Sequence, residues 1–294
     1  MLEMLAELPM VFVAIAFAFA LVIGSFLNVV IYRLPIMMER DWRSQCAELD
    51  ETPAVDIPEG ERFNLVVPRS RCPSCGTQIN AWQNIPVLSY LMLGGRCAAC
   101  KESISARYPV VEFATGMLVA IVAWRFGASW QGLMAMLLTL FLVPVTMIDF
   151  DRYLIPDSLV LPLLWIGLAM SLWHPMPGAD VLFIEPRDAI IGAMAGYLSL
   201  WSFYWLFKLA TGKEGMGHGD FKLLAALGAW LGYSYLFTII IMSAVVGAAL
   251  GIALILFRGR DRQVPMPFGP FLAGAGWITM LWGDRIKDVL NLPF

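Results

Sequence analysis

Charge is what this chain has least of. Of its 294 residues only 15% are charged, against roughly 25% in a soluble globular domain. Together with 59% hydrophobic residues and a mean hydropathy of +0.71, that scarcity excludes an ordinary soluble domain. The start of the chain has no basic residue: Glu3 and Glu7 precede an apolar run from Pro9 to Tyr32. A cleavable signal peptide needs a basic n-region and a short apolar core, so this run is expected to be a retained first helix. Internal repeats and low-complexity tracts are also lacking. The net charge of −3 says little, and nothing in the charge pattern calls for a nucleic-acid partner. The two histidines stand alone; His218 reads as a solvated loop residue, and His174 falls where no role is evident.

What is present is a series of apolar blocks, each near the 20 or so residues that cross a bilayer. They predict an all-α, polytopic membrane helical bundle of about eight spans: 9–32, 108–126, 130–148, 157–174, 188–208, 220–233, 235–257 and 268–283. Short connections such as Gly127-Ala128-Ser129 make neighbouring spans antiparallel. With the N-terminus outside, 16 of the 20 Lys and Arg fall on one side, leaving Arg125, Arg187, Arg285 and Lys287 on the other. The positive-inside bias makes the first side cytoplasmic. The chain thus divides into a first transmembrane helix (1–32), a cytoplasmic loop (33–107) and a membrane core (108–294). Within the loop, residues 39–62 read as a loose acidic excursion and 68–107 as a small folded module.

Four of the five cysteines build that module's pattern: Cys72-Pro-Ser-Cys75 and Cys97-Ala-Ala-Cys100, 21 residues apart. Two such knuckles present four thiolates to one ion. In a reducing compartment metal is favoured over disulfides, so structural zinc is expected on Cys72, Cys75, Cys97 and Cys100. Cys46 lies outside the pattern and reads as a free thiol.

Carboxylates at membrane depth are costly and mark function. Asp149, Asp151 and Asp157 lie at the cytoplasmic end of the third span. Asp220 opens the sixth, inside Gly217-His218-Gly219-Asp220. The assigned topology puts both groups at the same membrane face. Two close carboxyls share a proton, so the ionised one activates water and the protonated one polarises a carbonyl. On chemistry alone Asp149, Asp151 and Asp157 all qualify as the partner of Asp220. Asp151 and Arg152 also read as an interfacial pair, and Asp157 as a helix cap.

At these residues the chain resembles the bacterial type IV prepilin peptidases. The ordered set is Gly24-Ser25-Phe26-Leu27-Asn28, continuing to Arg33-Leu34-Pro35; Pro68-Arg69-Ser70-Arg71-Cys72; Asn84-Ile85-Pro86; Gly95-Arg96-Cys97; Tyr108-Pro109 with Glu112; Asp149 with Ile155-Pro156-Asp157; and Gly217-His218-Gly219-Asp220. The resemblance implies that Asp149, six residues before the Ile-Pro step, and Asp220 form the catalytic pair of an aspartic endopeptidase. It implies cleavage of the basic leader of prepilins and type II secretion pseudopilins at the cytoplasmic face of the bacterial inner membrane. It further implies methylation of the new N-terminus with S-adenosylmethionine, in the cysteine-containing module where Gly95 matches the family's glycine. No Rossmann-type glycine motif accompanies that last activity.

Three other readings share parts of the pattern. A presenilin-like protease has GxGD but neither the cysteine module nor the Asp149 spacing. A proton-coupled transporter would place its carboxylates near the bilayer midplane, and a zinc-bearing scaffold leaves the paired aspartates unexplained. On the prepilin peptidase reading, acidic groups of the 39–62 excursion are expected to attract the basic leader. Neutralising Glu48, Asp50, Glu51 and Asp56 together should then raise KM for prepilin, and an unchanged KM removes that role.

Overall fold

The computed structural model describes residues 7–49, 63–179, 181–258 and 266–290. Its helices are α1 (Pro9–Leu49), α2 (Leu88–Met92), α3 (Arg107–Phe126), α4 (Trp130–Arg152), α5 (Asp157–Ser171), α6 (Pro186–Thr211), α7 (His218–Leu231), α8 (Leu236–Arg258) and α9 (Gly269–Leu290). The described residues hold no β-strand, only isolated bridges between Arg71 and Gln78 and between Arg96 and Ser103. All eight predicted apolar segments are helical. Five stretches are long and apolar enough to cross a membrane: α1, α3, α4, α6 and Tyr233–Phe257. The protein is therefore a multi-pass membrane protein. Side chains such as Phe19, Trp124, Leu250 and Phe257 are exposed on these helices, as lipid-facing residues would be.

Most boundaries fall within four residues of the sequence reading, and two differ by more. The first helix does not stop at Tyr32 but runs to Leu49, so residues 39–49 are helical rather than loose. Pro35 lies inside this helix and removes one backbone donor, yet a Glu39–Arg43 ion pair at i,i+4 follows it and adds local support. The rest of the acidic excursion, with Asp50, Glu51 and Asp56, lies outside the described residues. At the other end, α9 continues to Leu290 past a kink at Trp282.

The chain forms two compact units, Met10–Ile121 and Val122–Phe294, the latter joined by residues 1–9. In the first, α1 and α3 pack closely. A Cβ at Gly24 would stand 3.0 Å from Glu112 Cα, and one at Gly116 2.8 Å from the Phe17 ring. Polar groups at the end of this contact hold the loop. Asn28 Nδ2 donates to the Tyr108 carbonyl, and the Val87 N–H donates to Glu112. The buried Arg33 guanidinium donates to the carbonyls of Asn64 and Pro68. Arg33 thereby ties the chain entering the cysteine module to the membrane helix.

The second unit is organised around α7. From Asp220 to Leu231 every residue of this helix is buried except Lys222. Its 14 residues reach about 21 Å, short of a hydrocarbon core about 30 Å thick. The helix is apolar because protein surrounds it. Against α6 it packs backbone on backbone: a Cβ at Gly192 would lie 2.2 Å from the Gly228 carbonyl oxygen, and one at Gly196 2.6 Å from that of Leu224. This is the small-residue spacing that lets membrane helices touch. Against α5, Trp230 fills the gap left by Gly167 and donates its indole N–H to the Leu163 carbonyl at 2.7 Å. Helix α9 joins α4 through Trp277 Nε1 to Thr139 Oγ1 at 3.0 Å.

A side chain at Gly192 meets backbone that cannot retreat. Gly192→Leu is expected to lower the stability of the detergent-solubilised protein by about 1–3 kcal/mol or more, seen as a fall in Tm. Gly274→Ala is the control, because its Cβ would enter open space.

Candidate active site and metal centre

The cysteine module is two copies of one turn. In the first, the Cys72 N–H donates to the Thr77 carbonyl and the Gly76 N–H to the Cys72 carbonyl. In the second, the Cys97 N–H donates to the Glu102 carbonyl and the Lys101 N–H to the Cys97 carbonyl. The residue after each second cysteine is left-handed, Gly76 at φ 69° and Lys101 at φ 61°. These turns bring the sulfurs of Cys72, Cys75, Cys97 and Cys100 within 4.8 Å of one another. The Cys72 and Cys100 sulfurs are 3.8 Å apart. A tetrahedron with metal–sulfur bonds of about 2.3 Å has edges of about 3.8 Å, so the four side chains fit a single ion.

The thiols are electrically unequal. Hydrogen bonds from the Thr77 hydroxyl and backbone bring Cys75 down to about 6. Backbone N–H groups of Cys100 and Ala99 lower Cys97. The Glu102 N–H favours a Cys100 thiolate, but desolvation and the neighbouring thiols outweigh it and push Cys100 up to about 12. Thiolates gathered this closely repel one another, and a divalent cation removes that repulsion.

Gly95 sits at the entrance of the second knuckle with φ 67°. Its N–H donates to the Tyr90 carbonyl and its carbonyl accepts from Ile104. A Cβ there would lie 2.9 Å from the Tyr90 ring. The space beside Gly95 is therefore filled by a side chain. The geometry gives this glycine a turn to make.

The aspartates lie in the second unit. Helix α4 starts where Ser129 Oγ accepts from the Gly132 N–H. It ends one turn after Asp149, where Tyr153 turns left-handed (φ 55°) and donates to the Asp149 carbonyl at 2.9 Å. The Asp149 side chain is buried and accepts from the Gly269 N–H at 3.0 Å. Asp220, also buried, stands in the first turn of α7, its N–H directed to the Gly217 carbonyl. Ile155 joins the two: a Cβ at Gly219 would lie 2.7 Å from Ile155 Cβ, and one at Gly269 2.9 Å from Ile155 Cδ1 and 2.6 Å from Asp149 Oδ2. The carboxyls of Asp149 and Asp220 are close enough to act on each other electrostatically.

The other acidic candidates separate from this pair. Asp151 is exposed. Asp157 opens α5 and accepts both hydrogen bonds of a 2.7 Å contact from Lys222 Nζ. His218 is exposed, with its ring against those of Tyr204 and Phe221. His174, which had no evident role, contacts the Phe183 carbonyl through Nδ1 at 2.7 Å. Sequence reasoning passed over Gly269, whose N–H meets Asp149. Its only signal was a Phe268-Gly269-Pro270 turn ahead of the last apolar block.

Fold and site define a class: a multi-pass, all-helical membrane protein with two buried aspartates at a helix junction and a four-cysteine site shaped for a metal. Residues 18–126 match the bacterial peptidase A24 N-terminal domain, and residues 136–252 match the type IV leader peptidase family. The chain is 56% identical to a prepilin leader peptidase/N-methyltransferase of Stutzerimonas stutzeri, covering 97% of this chain and 95% of that one. Identity is 53% to the protein so named in Aeromonas salmonicida and 51% to that of Pseudomonas aeruginosa, each over 97% of this chain and 96% of the relative. This chain belongs to the type IV leader peptidase family. No solved structure matches it.

Elemental analysis of the purified protein is expected to find one divalent ion per chain. Cys75→Ser should lower that occupancy several-fold, and full occupancy in this variant would show that the ion sits elsewhere.

Proposed function

We propose that this protein is an aspartic endopeptidase of the bacterial inner membrane. It removes the basic leader from prepilins and pseudopilins at the cytoplasmic face and then methylates the new N-terminus. The observation that carries the peptidase reading is the meeting of buried Asp149 and Asp220, from two different helices, beside Gly219 and Gly269. Near identity of length with relatives named prepilin leader peptidase/N-methyltransferase supports the substrate.

In the proposed reaction one carboxyl is ionised and the other protonated. The ionised one takes a proton from water as its oxygen attacks the scissile carbonyl. The protonated one donates a hydrogen bond to the carbonyl oxygen. Collapse of the tetrahedral intermediate breaks the C–N bond, and a proton returns to the leaving amine. The proton belongs to the pair rather than to either residue. Gly269 holds one oxygen of Asp149 through its N–H, which fixes the carboxyl plane. Gly217, where a Cβ would meet nothing nearer than an Asp220 oxygen at 3.7 Å, leaves room for an extended peptide.

The topology suits this substrate. A basic leader stays in the cytoplasm while the apolar helix behind it enters the membrane, so the scissile bond lies at the boundary. We assign the eight helices α1 and α3–α9 to the membrane bundle. Cys72, Cys75, Cys97 and Cys100 would hold zinc as a closed, structural site, since four thiolates leave no open position. S-adenosylmethionine would supply the electrophilic methyl group for the second step, and Gly95 would serve that step through the turn it makes.

The test uses purified protein in detergent with a prepilin substrate. Asp149→Asn and Asp220→Asn should each lower cleavage by roughly 10²–10⁴-fold, while an already cleaved pilin is still methylated. If Asp149→Asn cleaves normally, Asp151 becomes the candidate. If the wild type does not cleave at all, the transporter and scaffold readings return.

A further inference from the structure

Lys222 is the one residue between Asp220 and Leu231 that is not buried, and it carries the charge that meets Asp157. Its Nζ lies 2.7 Å from both carboxylate oxygens. Asp157 is the first residue of α5, two positions after Ile155. An α-helix turns roughly 100° per residue, so Gly219 and Lys222, three apart, share one face of α7. Both touch the same short segment: Gly219 packs on Ile155 and Lys222 bonds Asp157. Asp220, the next residue after Gly219, lies about 100° further round the helix.

We propose that the Lys222–Asp157 pair is a positioning device that sets the rotation of α7 about its own axis, and so aims Asp220 at Asp149. This inference rests on the aspartic reading of the Asp149/Asp220 pair. The glycine contact alone is weak as a rotational stop. Gly219 has no side chain to lock into a groove, and Gly217 at the N-cap forms no side-chain cap bond. The α6 seam and Trp230 hold the rest of α7; at its first turn the charged pair adds a reference point, because a two-oxygen contact constrains where Lys222 sits as well as how far it reaches. Both side chains are partly exposed, 31% for Lys222 and 51% for Asp157. A pair so exposed contributes little to stability, so removing it should leave a folded protein. Catalysis is far less tolerant: a misplacement of about 1 Å costs on the order of 10²-fold.

The experiment measures kcat and KM for prepilin cleavage by the full chain in detergent. The variants are Asp157→Asn, Lys222→Met, Lys222→Arg and the exchange Asp157→Lys with Lys222→Asp, beside Asp149→Asn and Asp220→Asn. Methylation of an already cleaved pilin reports folding. The expected result is a roughly tenfold or larger fall in kcat for Asp157→Asn and Lys222→Met. KM should hold within about twofold, methylation should stay unchanged, and the exchange and Lys222→Arg should recover most of the loss. The inference is overturned if the two single variants keep wild-type kcat. It is equally overturned if the exchange is no better than they are, or if methylation falls with cleavage. Those outcomes stand apart from failure of the underlying reading, which would show as cleavage by Asp149→Asn or Asp220→Asn.

Discussion

Two carboxyl groups held inside an apolar helical bundle are the constraint on which the second unit depends. Each must be taken out of water, and each lies within the other's field. Left alone, such groups would move apart or draw in solvent. The surrounding structure prevents the first response. Helix α4 ends within a turn of Asp149, Gly269 meets that carboxyl with a backbone donor, and Ile155 fills the space between Gly219 and Gly269. Encasing α7 on several sides then fixes the helix that carries Asp220.

The first unit answers a different problem. A small polar module has too little apolar surface to fold by burial alone, and here two short turns are closed by four sulfurs and anchored by side chains of the membrane helices. Arg33 reaches back from α1 to the carbonyls of Asn64 and Pro68, while Glu112 on α3 receives the Val87 N–H. A metal on the four thiols would add the remaining cross-link. The two knuckles differ at the left-handed position: Gly76 adopts that backbone freely, whereas Lys101 does so against the preference of its side chain.

Much of this was readable from the chain. The eight apolar segments are helices, and the C-x-x-C spacing predicted a cluster whose sulfurs do converge. The aspartates were narrowed to four, and geometry then set Asp151 and Asp157 apart from Asp149 and Asp220. What escaped was long-range. Nothing local to Asp149 points to a backbone donor 120 residues away at Gly269. The extension of α1 to Leu49 was hidden because Pro35 and a charged stretch imitate a helix end. The lengths of α5 and α7 were blurred for a physical reason. An apolar run reads alike whether its neighbours are lipid or protein, and α7 is surrounded by protein.

The contact between α6 and α7 carries a consequence for how this fold can change. Most packed positions drift in pairs: one side chain grows, the facing one shrinks, and volume is conserved. At Gly192 against Gly228, and at Gly196 against Leu224, the facing atoms are main chain. There is nothing opposite to trim. Any methyl group introduced at these positions must push the two helices apart, and one of them carries Asp220 in its first turn. Neutral variation is therefore closed off along this seam, while the outward face of α6, with Ile190, Met194, Leu198 and Phe203 exposed, remains free to wander.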